Sequence, residues 1–417
     1  MFMKLIKKTA LGAGMFAFVA FGPAVAETAA EWTQWHGANR DNISSESGLL
    51  KQWPAGGPKL LNKFTGLGGG YSSIAVAGSR IYTMGDGNES CNLLALDIAT
   101  GNQIWSAKVG SVGGGGGYPG PRGTPTVDGE FIYALGQFGD LVCVESANGK
   151  EVWRKNLNKD FGGKMMSGWG YAESPLVDKD NVICTPGGAG GSILALNKRT
   201  GALSWRSKDF KDDAAYSSLL PVEFGGQRQY IQLTGASVAS VAANDGRLLW
   251  RAARSGNTAV IPTPVFRDGE VFVTSGYGAG CSAFKISADG GTFKAEPMYS
   301  GKQIINHHGG VVLVGDYIYG ASDSGDLVCM DFKTGTVAWK NKSVGKGAVS
   351  YADGHIYLRS ENGPVALVAA DPAAYKEEGR FNQPERSDKN SWAHPVIVGG
   401  KLYLRDQDKL FVYDVKG

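Results

Sequence analysis

Ala95-Leu96-Asp97-Ile98-Ala99-Thr100-Gly101, with Trp105 four residues further on, is the stretch that decides the fold. Its first residues alternate as a half-buried strand does, the Asp-x-x-Thr-Gly cluster is a tight-turn signal, and the Trp opens the next strand. Related copies run over Cys143–Trp153, Ala195–Trp205, Ser240–Trp250 and Cys329–Trp339. A degraded copy spans Ala283–Phe293, with Phe293 in the Trp place, and a looser one lies around Val365–Tyr375. These Trp residues invite a ligand-stacking reading. Recurrence at one place in every repeat points instead to packing of one unit against the next.

A hairpin precedes each of these stretches. It recurs at Ile74–Thr83, Pro125–Ala134, Pro175–Cys184, Leu220–Leu233, Pro264–Thr274, Val311–Gly320, Val349–Leu358 and Pro395–Leu404. Anchored on Tyr82, Tyr133, Cys184, Ile231, Val273, Tyr319, Tyr357 and Tyr403, the spacings are 51, 51, 47, 42, 46, 38 and 46 residues. Their mean, about 46, is the length of a four-stranded propeller blade. The expected fold is therefore all-β: an eight-bladed propeller of four-stranded antiparallel blades over residues 59–417. The last copy ends at Leu410–Val415 with no fourth strand after it, and Leu60-Leu61-Asn62-Lys63-Phe64 stands where one is needed. The N-terminal segment is thus expected to close the ring, removing its exposed sheet edges. Residues 27–58, carrying Trp32, Trp35 and Trp53, are expected to form an arm that caps it.

Glycine supplies 62 of the 417 residues, about twice ordinary usage, and a turn-rich repeat accounts for it. The glycines follow no three-residue period, which excludes collagen, and 42% hydrophobic residues exclude a disordered chain. Residues 1–26 read as an export signal: Lys4, Lys7 and Lys8, an apolar run from Ala10 to Phe21, and Ala24-Val25-Ala26 before the cut. The apolar run is short for a membrane span. Removing the signal takes the formal charge from +3 to 39 basic against 39 acidic residues, leaving no basic footprint for nucleic acid. A periplasmic or secreted, soluble protein follows. The first cysteine is Cys91, so none stands at the cut to take a lipid, and none of the five cysteines forms a C-x-x-C or adjacent pair. They read as small buried hydrophobes.

The repeat A-x-D-x-x-T-G-x-x-x-W, complete at Ala95, Asp97, Thr100, Gly101 and Trp105, resembles that of the pyrroloquinoline-quinone (PQQ) dehydrogenases and their relatives over most of residues 60–417. The run Trp32-Thr33-Gln34-Trp35-His36-Gly37-Ala38-Asn39-Arg40-Asp41 is similar to the start of many exported PQQ-like propellers. The resemblance implies one of two functions. One is a binding or protein-interaction scaffold of the cell envelope, as in the outer-membrane assembly lipoprotein of this fold. The other is a PQQ-dependent oxidoreductase acting on an alcohol or sugar, which would need PQQ with calcium, a carboxylate base and an aromatic floor. Trp169 or Trp392 would serve as that floor. The adjacent cysteines of the alcohol dehydrogenases and a haem-attachment C-x-x-C-H are both missing from the chain.

Segments leading into the blades gather on one rim, where a rigid scaffold displays binding residues. The expected ligand-binding set is Tyr71, Arg122, Trp169, Tyr171, Glu173, Tyr216, Asn306, His308, Trp392 and His394. The ligand would be a small polar molecule, anionic if Arg122 meets it, or an envelope protein; aromatics that merely plug the channel are the structural alternative. Catalysis has no assigned residue beyond the candidates Glu173, His307 and His308, one His pairing with Glu173 as an acid–base couple. No metal site is expected, because adjacent histidines on a strand face opposite ways. The runs Gly113–Gly117 and Gly187–Gly191 are loops rather than phosphate cradles, having no helix N-terminus behind them. No G-x-S-x-G elbow marks a serine nucleophile.

Overall fold

A computed structural model describes Met1, Phe2 and residues 31–417. The expected signal segment thus lies, but for its first two residues, outside the described part. Among the described residues every regular element is a strand. They form eight antiparallel sheets arranged as blades of a ring. Blades 1 to 7 span residues 75–110, 126–156, 176–206, 220–253, 265–301, 311–341 and 347–382. Each contains one of the eight hairpins read from the sequence, on its axial side. Blade 8 joins the two ends of the chain: Val396–Val398, Lys401–Asp406 and Lys409–Asp414 are completed by Lys59–Phe64. Lys59 pairs with Asp414 and Phe64 with Leu410, so the expected closure holds.

The repeat motif works as a dock between blades. Trp105 donates its indole N–H to the carbonyl of Ser146, at 3.2 Å, in blade 2. Its ring lies where a side chain on Gly149 would stand, 2.6 Å from an added Cβ. Trp153 repeats this on Lys198 and Gly201, and Trp205 on Ala243 and Gly246. The turn glycine is therefore a socket as well as a turn residue. In blade 5 the docking residue is Tyr299, not Phe293. A bulge opposite Ala283 sets Tyr299 where the other blades carry Trp, because the outer hairpin Gly280–Asp289/Thr292–Gly301 is long. Its hydroxyl donates to Phe332 and its ring covers Gly335. In blade 7 the place falls to Gly379, and Trp53 of the arm fills the gap, packed on Tyr357 and Phe381.

The arm does not cap the ring; it threads the axis. Trp32 pairs antiparallel with Val76 of blade 1, and the carbonyl of Thr33 accepts from Val127 of blade 2. The chain turns over residues 34–42 and returns as Ile43–Ser44, parallel to Tyr351–Ala352 of blade 7. His36, Arg40 and Asn42 all take left-handed backbone angles, with φ of 61°, 57° and 61°. Each such residue costs roughly 1–2 kcal/mol, so contacts with the blades must hold the turn. Arg40 supplies the firmest. Fully buried, its guanidinium donates to Ser174 O at 2.7 Å and Pro175 O at 3.1 Å in the segment opening blade 3.

All five cysteines are buried and unpaired.

Candidate functional site

Above the plug the ring opens as a funnel of about 270 Å³. Segments leading into the blades contribute Tyr71, Arg122, Trp169, Tyr216, His307, His308, Trp392 and His394 to its wall. Loops joining the second and third strands of blades 5 and 7 add Tyr277 and Glu361, and Lys346 stands just before blade 7. Trp35 of the plug forms the floor, its indole N–H donating to Thr263 at 3.1 Å.

Three expected residues do not line this funnel. Tyr171 is buried beside it, its hydroxyl donating to Asn158 at 2.8 Å. Glu173 lies beneath, its carboxylate accepting from the Thr185 N–H at 2.7 Å and the Thr185 hydroxyl at 2.9 Å. Burial pushes its pKa up to about 7 against the opposing pull of those bonds. The Glu173–histidine couple does not form, since Glu173 faces Thr185 and Gln232 and not the funnel wall. Asn306 is structural: its amide donates to Gly310 O and Ala321 O and accepts from Gly310 N, fixing the loop that carries His307 and His308.

Arg122 spends its donors inward, on the carbonyls of Trp169 at 3.1 Å and Tyr118 at 2.6 Å, with its plane over Tyr71. It braces the rim more than it faces a ligand. The histidines form a chain across the floor. His394 Nε2 is 2.8 Å from His308 O, and His394 Nδ1 is 3.0 Å from His36 Nε2. Burial holds all of these rings uncharged at neutral pH, His394 down to about 4 and His36 and His308 well below the ordinary value.

Residues 307–309 bend instead of extending, so the strand argument against a shared histidine site does not apply to them. The His307 and His308 rings stand 87° apart with centroids 5.5 Å apart, and both face Trp392. Glu361 accepts from the Trp392 indole at 3.0 Å and lies 3.6 Å from Lys346. It is the only acid lining the funnel among the described residues. Calcium takes six to eight oxygen ligands, and a wall of imidazoles with one engaged carboxylate does not fit it. PQQ–calcium chemistry therefore finds no ligand set here. Glu361, Lys346, Tyr277 and Trp35 escaped the reading of the sequence. The first three sit in loops whose position in the repeat would have flagged them, whereas Trp35 comes from the arm.

Fold and funnel together define an axially plugged, eight-bladed propeller of the PQQ-like repeat class. A family model described as "Outer membrane protein assembly factor BamB" matches residues 90–341 and 292–417, and the chain belongs to that family. BamB of Burkholderia pseudomallei is 24% identical over 353 residues, covering 82% of this chain and 84% of its own length. BamB of Yersinia pestis is 22% identical, covering 73% and 76%. Among solved structures, BamB from Moraxella catarrhalis matches with a TM-score of 0.62 and 14% identity, over 86% of this chain and 98% of its own. A quinohemoprotein alcohol dehydrogenase from Comamonas testosteroni matches at 0.65 and 13%, over 94% and 82%. Those structural likenesses speak to the fold alone. No helix among the described residues is long and apolar enough to cross a membrane.

Proposed function

We propose that the chain is a propeller scaffold of the cell envelope that binds envelope proteins through its loop face, serving outer-membrane protein assembly as its named relatives do. The observation that carries this reading is the filled axis. The chain's own residues 32–44 occupy the channel and floor the funnel, so the axis is closed and the ring presents its loop face. That face carries exposed Val112, Tyr118, Phe138 and Tyr277. Exposed apolar groups gathered around one opening are typical of protein-binding surfaces. The protein works on the periplasmic side, to which the signal read at residues 1–26 delivers it. The funnel below the rim has room for a small polar molecule stacked on Trp392 or Trp169.

Site-specific photocrosslinkers at Tyr118 and Tyr277, compared with one at Leu203 on an outer strand, test the reading in cells. Crosslinks from the rim positions to envelope proteins are expected, together with fewer folded outer-membrane barrels when the gene is deleted. Normal barrel levels, with thermal stabilisation by PQQ and calcium and alcohol-dependent dye reduction, would overturn it in favour of an oxidoreductase.

A further inference from the structure

We propose that His307, His308 and Glu361 form a binding site for a zinc ion on the funnel wall. The inference goes beyond the scaffold reading and stands whether or not that reading holds. One ligand atom from each of the three residues lies within 4.8 Å of the other two. His308 Nδ1 is 3.8 Å from Glu361 Oε2. Zinc bonds of about 2.0–2.2 Å in a tetrahedral site bring donors to roughly 3.3 Å, so small side-chain rotations complete the set.

A second observation points to a ligand independently. His308 is 5% exposed, yet neither of its ring nitrogens has a hydrogen-bond partner, and His307 Nδ1 is buried and unpartnered as well. Polar atoms buried in this way have given up their water without a replacement partner, so the site favours an occupant that satisfies them. A metal ion would take up two of these nitrogens at once. Water is the competing occupant, and the titration below separates the two.

The surroundings fit an ion-binding role. Glu361 is oriented by the Trp392 indole N–H at 3.0 Å, the kind of outer hydrogen bond that aims a metal ligand. The histidine loop is fixed from behind by Asn306. Lys346 is the cation nearest to Glu361, and Asp323, 3.6 Å from its Nζ, offers it a second partner once Glu361 is engaged. Two nitrogens and one carboxylate select zinc over calcium or magnesium. Three protein ligands leave a fourth position for water or for a molecule in the funnel.

The test is calorimetric titration of zinc into full-length protein, purified without a polyhistidine tag and dialysed against chelator. One ion per chain is expected, with no uptake of calcium or magnesium under the same conditions. Glu361→Gln should weaken binding at least tenfold and His307→Ala should abolish it. His355→Gln, on blade 7 away from the funnel, should leave it unchanged. Melting curves show whether each variant is folded, and His307 and Glu361 are chosen because they sit at the opening. Cobalt(II) provides a second readout: a tetrahedral visible spectrum that His307→Ala removes. Absence of saturable zinc uptake, or uptake and a cobalt spectrum that persist in folded His307→Ala and Glu361→Gln, would overturn the proposal.

Discussion

His36 donates a hydrogen bond from Nε2 to His394 Nδ1, at 3.0 Å, tying the plug to the segment that opens blade 8. The direction follows from the other side of the ring. His394 Nε2 faces the carbonyl of His308 at 2.8 Å and must carry its proton there, so Nδ1 of neutral His394 is the acceptor. Protonating His394 places a second N–H against His36 and breaks the link.

Acid should therefore loosen the plug. The unfolded chain binds a proton on His394 near the ordinary value of 6.5, the folded chain only near 4. Stability from this residue is complete above about pH 6.5 and is lost as pH falls toward 4. Two and a half pH units correspond to roughly 3 kcal/mol. Urea unfolding at pH 7 and pH 4.5 should show a loss of this order, smaller in His394→Gln. An equal loss in that variant would refute the assignment.

Glu173 acts with the opposite sign. Its folded pKa, raised to about 7, lies above that of the unfolded carboxyl. Its contribution is fully present below about pH 4.5 and declines as pH rises to 7. Glu173→Gln should flatten the fall in unfolding free energy between pH 5 and pH 8, measured by denaturant titration in steps of pH. An unchanged slope would show that the carboxyl is ionised throughout.

Gly149 should resist substitution, and Trp105 explains why. An added Cβ would stand 2.6 Å from the indole, at a residue with φ of 75°. Backbone strain and overpacking together predict a cost of about 2–4 kcal/mol for Gly149→Ala. Once Trp105→Ala has vacated the socket, the same change should cost only the backbone part. A double-mutant cycle by chemical denaturation reads the difference, and strict additivity would rule out the dock.

Arg40→Met should detach the turn of the plug while keeping most of the side-chain volume. The carbonyls of Ser174 and Pro175 lose charged donors at 2.7 and 3.1 Å inside the channel. A loss of about 3 kcal/mol is expected, with faster protease cleavage in residues 32–44. Unaltered stability would mean that the strained backbone alone holds the turn.

Much of this architecture was legible because it repeats. The turn Asp97-Ile98-Ala99-Thr100-Gly101 and Trp105 recur at a fixed distance, and closure by Leu60–Phe64 followed from a missing strand. Tyr299 was not legible, since the docking position is set by a bulge opposite Ala283 and not by distance from the turn. The run Trp32–Asp41 stood out as a family start, but its place in the axis was not legible: Trp32, Arg40 and Asn42 make contacts whose partners lie tens to hundreds of residues away. At the funnel, Trp392 and His394 were found because aromatics and histidines stand out in a loop. Lys346 and Glu361 resemble ordinary solvated charges until the ring brings them together. Glu173 and Asn306 were placed wrongly for a simpler reason. A segment entering a blade passes from rim to interior within two residues, so near neighbours serve different surroundings.

The two jobs of the N-terminal segment impose an order of assembly. Residues 32–44 fill the channel, and residues 59–64, only a short connection away, complete the final blade. The partner of Lys59 is Asp414, three residues from the end of the sequence. Pairings this distant are the slowest to form, because a long loop must close before any bond rewards it. The first-synthesised strand of the ring thus waits for the last, although the plug already meets blades 1 to 3 through Val76, Val127 and Ser174. Arrival of the last strand latches the circle, so a premature stop near the C-terminus would leave Lys59–Phe64 unpaired and open a sheet edge.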